Sequence, residues 1–327
     1  MNLHPTYPAF PIMAFLSFVA ILLPLAWIRR DNFGIIFLFL WTATACLNQF
    51  VNSVIWHGNT RNFIPVFCDI SSRLMVAHFT ALPASGLCMI RRLYHICSMK
   101  AFHLTPPQKR KALVQDLCIC LGVPFLTMAL DSGHRYDIFE DLGCYPEANN
   151  TWLAYVLFYS WPVVLSLIVG VYSILTLRII VKNGKQIGEV MQFKTQRPLY
   201  YRIIILSLCQ LILLGPFQLT IMIFGLTFVP IYPYKSWDDT HFNYSRVDEI
   251  PAALWRSDPV SEAMHEALRW SVVVWAIIYY SLFGFSGEAR NAYWKAFWKV
   301  AGLAGLKPGS SSPQVEKPFK YVLHGAL

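Results

Sequence analysis

Apolar residues along the chain fall into seven runs, each of roughly the 20 residues a helix needs to cross a bilayer core, and charged or turn-forming residues bound each run. The runs cover residues 11–28, 33–54, 70–90, 112–130, 152–177, 203–229 and 267–286. Runs three and four are the most polar of the set, since they contain Arg73, His78 and Asp116. This pattern predicts an all-α fold: a bundle of seven transmembrane helices occupying residues 1–290.

After the seventh run, Tyr293, Trp294, Phe297, Trp298 and Ala301 recur at helical spacing, with Lys295 and Lys299 between them. That spacing predicts a short amphipathic helix over 291–303, lying at the headgroup layer. A flexible cytoplasmic tail is expected over 304–327, where a Gly-Ser-Pro stretch begins.

Composition supports the membrane reading. Of the 327 residues, 56% are hydrophobic and only 14% charged, with a mean hydropathy of +0.44, which a water-solvated surface does not match. The net charge of +9 sits in short connectors between apolar runs, so it reads as a topology signal and gives no support to nucleic-acid binding. With the N-terminus outside and the C-terminus inside, twenty of the 27 Lys and Arg residues fall on the inner side. The first run carries Arg29 and Arg30 after it and no basic flank before it, the pattern of a retained anchor.

Two further features fit the same orientation. The sequons at Asn149 and Asn243 both fall in connectors assigned outside, where glycosylation occurs. Six of the eight cysteines fall within spans or near the inner face, leaving Cys68 and Cys144 outside; they are expected to form a disulfide, the alternative being two free thiols. The connector 230–266 is long and carries seven acidic residues with Trp237 and Trp255; a loop of that length is usually functional or disordered, and one functional reading is a lid over the outer mouth.

Strongly polar residues at membrane depth are costly, so each is a candidate site. Asn48, Asn52, Asp69, Arg73, His78 and Gln218 are the candidate ligand contacts. Each also has a structural reading: interhelical hydrogen bonding for the amides, an outward-reaching arginine, a core histidine. Prolines 24, 83, 124, 162 and 216 predict kinks in five helices. No hydrolase, metalloprotease or nucleotide-binding motif is present, so neither an enzyme nor a cofactor is expected. Span seven has no lysine to form a retinal Schiff base, and no internal repeat suggests a carrier.

The stretches Val66-Phe67-Cys68-Asp69-Ile70-Ser71-Ser72-Arg73-Leu74, Ala81-Leu82-Pro83-Ala84-Ser85 and Leu87-Cys88-Met89-Ile90-Arg91-Arg92-Leu93-Tyr94 closely resemble the third-helix signature of fungal mating-pheromone receptors. The type they resemble is that of the yeast a-factor receptor, a class D G-protein-coupled receptor. Leu23-Pro24-Leu25, Trp41, Asn48, Val54-Ile55-Trp56 and Gly143-Cys144-Tyr145-Pro146 add to it, and the resemblance covers about residues 12 to 300. It implies a farnesylated peptide pheromone as ligand, a heterotrimeric G protein as cytoplasmic partner and a multi-pass place in the plasma membrane, with room for a homodimer. On this reading Arg91, Arg92 and Tyr94 contribute to the G-protein face, as do Arg197 and Arg202 in a stretch similar to the family's Arg-Tyr-rich entry to helix six, here interrupted by Pro198. The competing expectation is a seven-span transporter or channel without G-protein coupling.

Overall fold

The computed structural model describes residues 6–28, 32–98, 105–130, 133–190 and 193–303, with the backbone alone for 183–190, 193–198, 300 and 303. Among the described residues, seven helices are long and apolar enough to cross a membrane: helix one Ala9–Ala26, two Phe33–Ile55, three Pro65–Cys97, four Pro106–Ala129, five Trp152–Lys182, six Leu199–Phe228 and seven Pro259–Phe283. A terminal helix, Gly287–Leu303, follows. It contains the predicted 291–303 segment and leaves Trp294, Phe297, Lys295 and Lys299 exposed. The expected tail lies outside the described residues.

Three helices start well before the predicted runs. Helix four begins at Pro106 because Thr105 and Gln108 form a reciprocal capping box. Helix seven begins at Pro259 because the Asp258 carboxylate accepts hydrogen bonds from the backbone N–H groups of Val260 and Ser261. Helix three begins with Pro65, whose missing N–H costs nothing at a first-turn position. For helices four and seven, polar residues in the first turns hide the start from a hydropathy reading. The connector after helix six therefore ends at Asp258, and residues 259–266 belong to helix seven.

Helix three is the axis of the bundle. Every residue from Thr80 to Ile90 is buried, and the small side chains of Ala81, Ala84, Ser85 and Gly86 let neighbouring helices approach closely. Helix three packs mainly on helices two, four and five, helix seven on one and two, and helix six on five. The central core joins Leu38, Phe39, Leu82, Leu93, Val169, Leu206, Tyr279 and Phe283.

Around the prolines the chain adjusts in two ways. Three are preceded by a π-helical turn: Cys118–Gly122 before Pro124, Tyr155–Tyr159 before Pro162 and Gln210–Leu214 before Pro216. Such turns widen the helix where the proline ring would strike the preceding turn. At Pro83 and Pro124 a side chain serves the carbonyl that proline leaves without an amide partner. Pro83 cannot donate to Phe79, and the Gln218 Nε2 donates to that carbonyl at 2.9 Å. Pro124 cannot donate to Cys120, and the Trp41 indole N–H does so at 3.1 Å. Pro24 opens a 3-10 turn, Leu23–Ala26, that ends helix one.

One end of the bundle carries three short strands that the helical periodicity did not predict. β1 (Asp137–Phe139) pairs antiparallel with β2 (Gly143–Tyr145), placing Ile138 opposite Cys144. β3 (Glu249–Ile250), from the connector between helices six and seven, pairs parallel with β1. The sheet order is β2-β1-β3, so the two connectors form one cover over this end.

Candidate functional site

At the sheet end, the cover is fixed to the helices by a network centred on helix two. Asn52 donates from Nδ2 to Ser71 Oγ at 2.7 Å and to the Asn48 carbonyl at 2.9 Å, while its Oδ1 accepts from the Cys144 N–H at 2.9 Å. Asn48 donates to the Ser71 carbonyl at 3.2 Å. The two candidate asparagines thus tie helix two to helix three and to β2, and both are buried. Cys68 and Cys144 are joined by a disulfide beside them, with Trp56, Tyr136 and Ile138 packed around the bond. Gly143 sits at φ +90°, and a Cβ there would come within 2.2 Å of Asn52 Oδ1, so this turn requires glycine.

Asp141, at φ +68°, is a second anchor. Its carboxylate accepts from His57 Nδ1 and the Gly58 N–H, each at 3.0 Å, and from Arg256 at 2.8 Å. Close by, Arg269 of helix seven is buried; it donates to Glu266 at 3.0 Å and to Thr6, and lies 4.3 Å from the Phe10 ring centroid. Thr6, Tyr7, Phe10, Ser53, His57, Asp141 and Arg269 line a small cleft where the N-terminal segment, helix seven and the cover meet. In the sequence Arg269 falls at the edge of the seventh apolar run and Asp141 between the fourth and fifth, so neither stands out. The available signal was the Glu140-Asp141-Leu142-Gly143 turn, whose Asp and Gly both adopt positive φ.

Asp69 and Arg73 of helix three do not line this cleft. Asp69 receives a two-pronged hydrogen bond from Arg135, at 2.6 and 2.5 Å, which raises the Arg135 guanidinium above its ordinary value. Arg73 reaches out of helix three to the Tyr244 hydroxyl at 2.9 Å and the Met128 carbonyl. His78 is buried deeper, with no partner at Nδ1. Gln218 is also deep: besides serving Phe79, it accepts from Ser166 at 3.1 Å, linking helices three, five and six. The six candidate ligand residues therefore do not converge on one pocket.

The cover also holds a titratable cluster. His134 Nε2 bonds Asp137 at 2.7 Å, and Asp137 accepts the backbone N–H of Asp248, whose own carboxylate is paired with Arg246. The bond to Asp137 raises the His134 imidazole, and burial followed by the neighbouring Asp137 pushes the Glu147 carboxyl up to about 7. His134, Asp137 and Asp248 bring ligand atoms within 4.8 Å of one another, but hydrogen bonds already account for the three. Of the two sequons, Asn243 is exposed, whereas Asn149 donates its amide nitrogen to the Thr240 carbonyl at 2.6 Å. Asn150 between them in sequence closes helix six by donating to the carbonyls of Gly225, Val229 and Pro230.

The opposite end is basic, with Lys109, Arg110, Lys111, Arg178, Lys182, Arg290, Lys295 and Lys299 around it. Arg91 is not presented as a free charge: it pairs at 2.6 Å with the buried carboxylate of Asp116 in helix four. Tyr94 packs edge-on against Tyr172 of helix five, with centroids 5.5 Å apart. Arg202 faces Glu288 of the terminal helix at 3.8 Å. Arg92 is half-buried beside them, and Arg197 lies where only the backbone is described. The terminal helix is further held by Tyr293, which meets the Tyr280 hydroxyl at 3.1 Å and the Trp27 ring at 5.0 Å.

Seven spans, a stapled cover at one end and a basic opposite end define a multi-pass, seven-helix membrane protein. The family model described as STE3, pheromone A receptor, matches residues 9–302. Among similar proteins, the Pheromone B alpha 3 receptor of Schizophyllum commune is 38% identical over 310 residues, covering 93% of this chain and 50% of its own. Pheromone receptor 1 of Mycosarcoma maydis is 31% identical over 304 residues, covering 91% of this chain and 85% of its own. The Pheromone M-factor receptor of Schizosaccharomyces pombe is 26% identical over 204 residues, covering 59% and 54%. The chain belongs to this fungal pheromone-receptor family, a family of receptors and not of enzymes. It spans about half the length of the Schizophyllum relatives it matches.

Proposed function

We propose that the protein is a G-protein-coupled receptor for a peptide mating pheromone, of the a-factor-receptor type in class D. The observation that carries this is the family match along 9–302, which takes in all seven spans. The ligand is a short peptide with a farnesylated C-terminal cysteine, and the output is nucleotide exchange on a heterotrimeric G protein. The sheet end, with the disulfide and the Asn243 sequon, faces outside, and the basic end faces the cytoplasm at the plasma membrane. Support for that orientation comes from the excess of Lys and Arg at the end away from the sheet.

The pheromone enters at the cover, near the Asp141–Arg269 cleft, and Arg92, Arg202 and the neighbouring basic residues meet the G protein. A transporter is disfavoured by relatives that are all named as receptors. Reconstitution in lipid with a G protein tests the proposal. A farnesylated peptide drawn from a panel should accelerate nucleotide exchange, and the unfarnesylated form should not. A folded receptor that drives no exchange with any member of the panel overturns the reading.

A further inference from the structure

Helix six touches the axial helix through two glutamines, Gln210, which opens its π-turn, and Gln218, which lies beyond it. Gln218 donates to the Phe79 carbonyl at 2.9 Å and Gln210 to the Leu82 carbonyl at 3.3 Å, in the segment of helix three that Pro83 interrupts. Both glutamines are buried. They are eight positions apart, and eight residues of regular α-helix would turn the second about 80° from the face of the first. The π-turn Gln210–Leu214 lies between them, and one extra residue absorbed there leaves them only about 20° apart. The π-turn is therefore what lets both reach the same stretch of helix three.

The contact is fitted but incompletely satisfied. Gly86 faces Gln210 so closely that a Cβ would come within 2.0 Å of its Oε1. Among the described residues neither that Oε1 nor the Tyr279 hydroxyl of helix seven makes a hydrogen bond of good geometry, although both are buried and the two side chains lie within hydrogen-bonding reach of each other. Unpaired polar atoms in a membrane interior are a cost that another arrangement can relieve. A π-turn supplies that arrangement: if it reverts to regular helix, the two glutamines leave their common face. Both cannot then hold helix three, and the released Gln210 turns to Tyr279.

We infer that Gln210 and Gln218, held in register by the π-turn 210–214, form a releasable latch that keeps helix six against helix three in the resting state. The role of the latch in signalling rests on the receptor reading above; the latch itself does not.

The test is a distance measurement between spin labels at His95 and Tyr201, at the ends of helices three and six away from the sheet, in the full chain in nanodiscs without ligand. An interhelical hydrogen bond in a membrane is worth roughly 0.6 to 2 kcal/mol, so Gln210→Leu and Gln218→Leu should each raise the separated population about three- to thirtyfold. Tyr279→Phe removes only a hydroxyl that makes no well-formed hydrogen bond in the resting state. It should leave the melting temperature unlowered and decrease the separated population. Unchanged distance distributions in folded Gln210→Leu and Gln218→Leu receptors overturn the latch, as does a Tyr279→Phe variant that separates more. Basal nucleotide exchange, measured in parallel, should rise with the separated population. Failure of the unsubstituted receptor to drive any exchange would defeat the receptor reading, while the distances would still decide the latch.

Discussion

At the level of single residues, membrane depth made the polar side chains conspicuous without revealing what each one does. Asn48, Asn52 and Gln218 stood out because each is an amide in an apolar run, and all three bond carbonyls of helix three or, for Asn52, its Ser71 hydroxyl. What no spacing rule supplies is the partner: Asn52 reaches Cys144, 92 positions away, only because β2 folds back onto helix two. This gives Asn52→Ala a definite expectation. It strands the Cys144 N–H and the Ser71 hydroxyl, and leaving buried groups unpaired costs about 1–3 kcal/mol each. The melting temperature should fall, and pheromone affinity should change only as far as folding does. A large affinity loss at unchanged melting temperature would make Asn52 a ligand contact after all. Asp141 and Arg269 show the opposite case, in which neither type nor position in the sequence set apart residues that join three parts of the molecule.

Among the elements, long apolar runs announced all seven spans, because a bilayer of fixed thickness imposes a length. Their ends were less legible, since the first turns of helices four and seven are polar and betray themselves only through caps at Thr105 and Asp258. Strands of two or three residues fall below any period that alternation could show, and β3 exists only through its pairing with β1. Asp116 weakened the fourth run as a sequence, yet in the fold it is the buried partner of Arg91. Removing one member of a buried pair costs about 3–5 kcal/mol, less where the survivor can reach the headgroups, as a partly exposed arginine can. Asp116→Asn should therefore lower the melting temperature, and the double change Arg91→Leu with Asp116→Leu should restore much of the loss. Nucleotide exchange then separates the roles. If the double variant is stable and still couples, Arg91 is a strut between helices three and four; if it is stable and silent, Arg91 belongs to the G-protein face.

For the molecule as a whole, the two ends are built for different tasks. The basic end is a charged rim on regular helices, whereas the other end is closed by a small sheet whose strands come from two connectors. Its connection to the bundle runs through the disulfide, Asn52, Asp141 and the Asp69–Arg135 pair. The connectors themselves meet at β1–β3 and in the cluster of His134, Asp137, Glu147, Asp248 and Arg246. That cluster should make the cover sensitive to pH near neutrality, where its two raised groups, His134 and Glu147, act in the same direction. His134 is raised in the folded state, so its contribution is complete below its unfolded value and is lost as pH climbs through the folded one. Glu147 is raised to about 7, so the fold takes up its proton more readily than the open chain, and stability falls as pH rises towards that value. Hydrogen exchange over Asp137–Phe139 and Glu249–Ile250, corrected for intrinsic rates, should show stronger protection at about pH 5.5 than at about pH 8. Glu147→Gln, which keeps the shape and removes the charge, should flatten most of that difference by strengthening protection on the alkaline side. An unaltered pH difference in Glu147→Gln would remove Glu147 from the account and leave His134 alone, whose replacement by Gln must then abolish it. Because the cover lies over the cleft where the pheromone is proposed to enter, a tighter cover at low pH should also slow ligand association. Association rates taken across the same range on the unsubstituted receptor and on Glu147→Gln connect the local titration to access from the membrane surface.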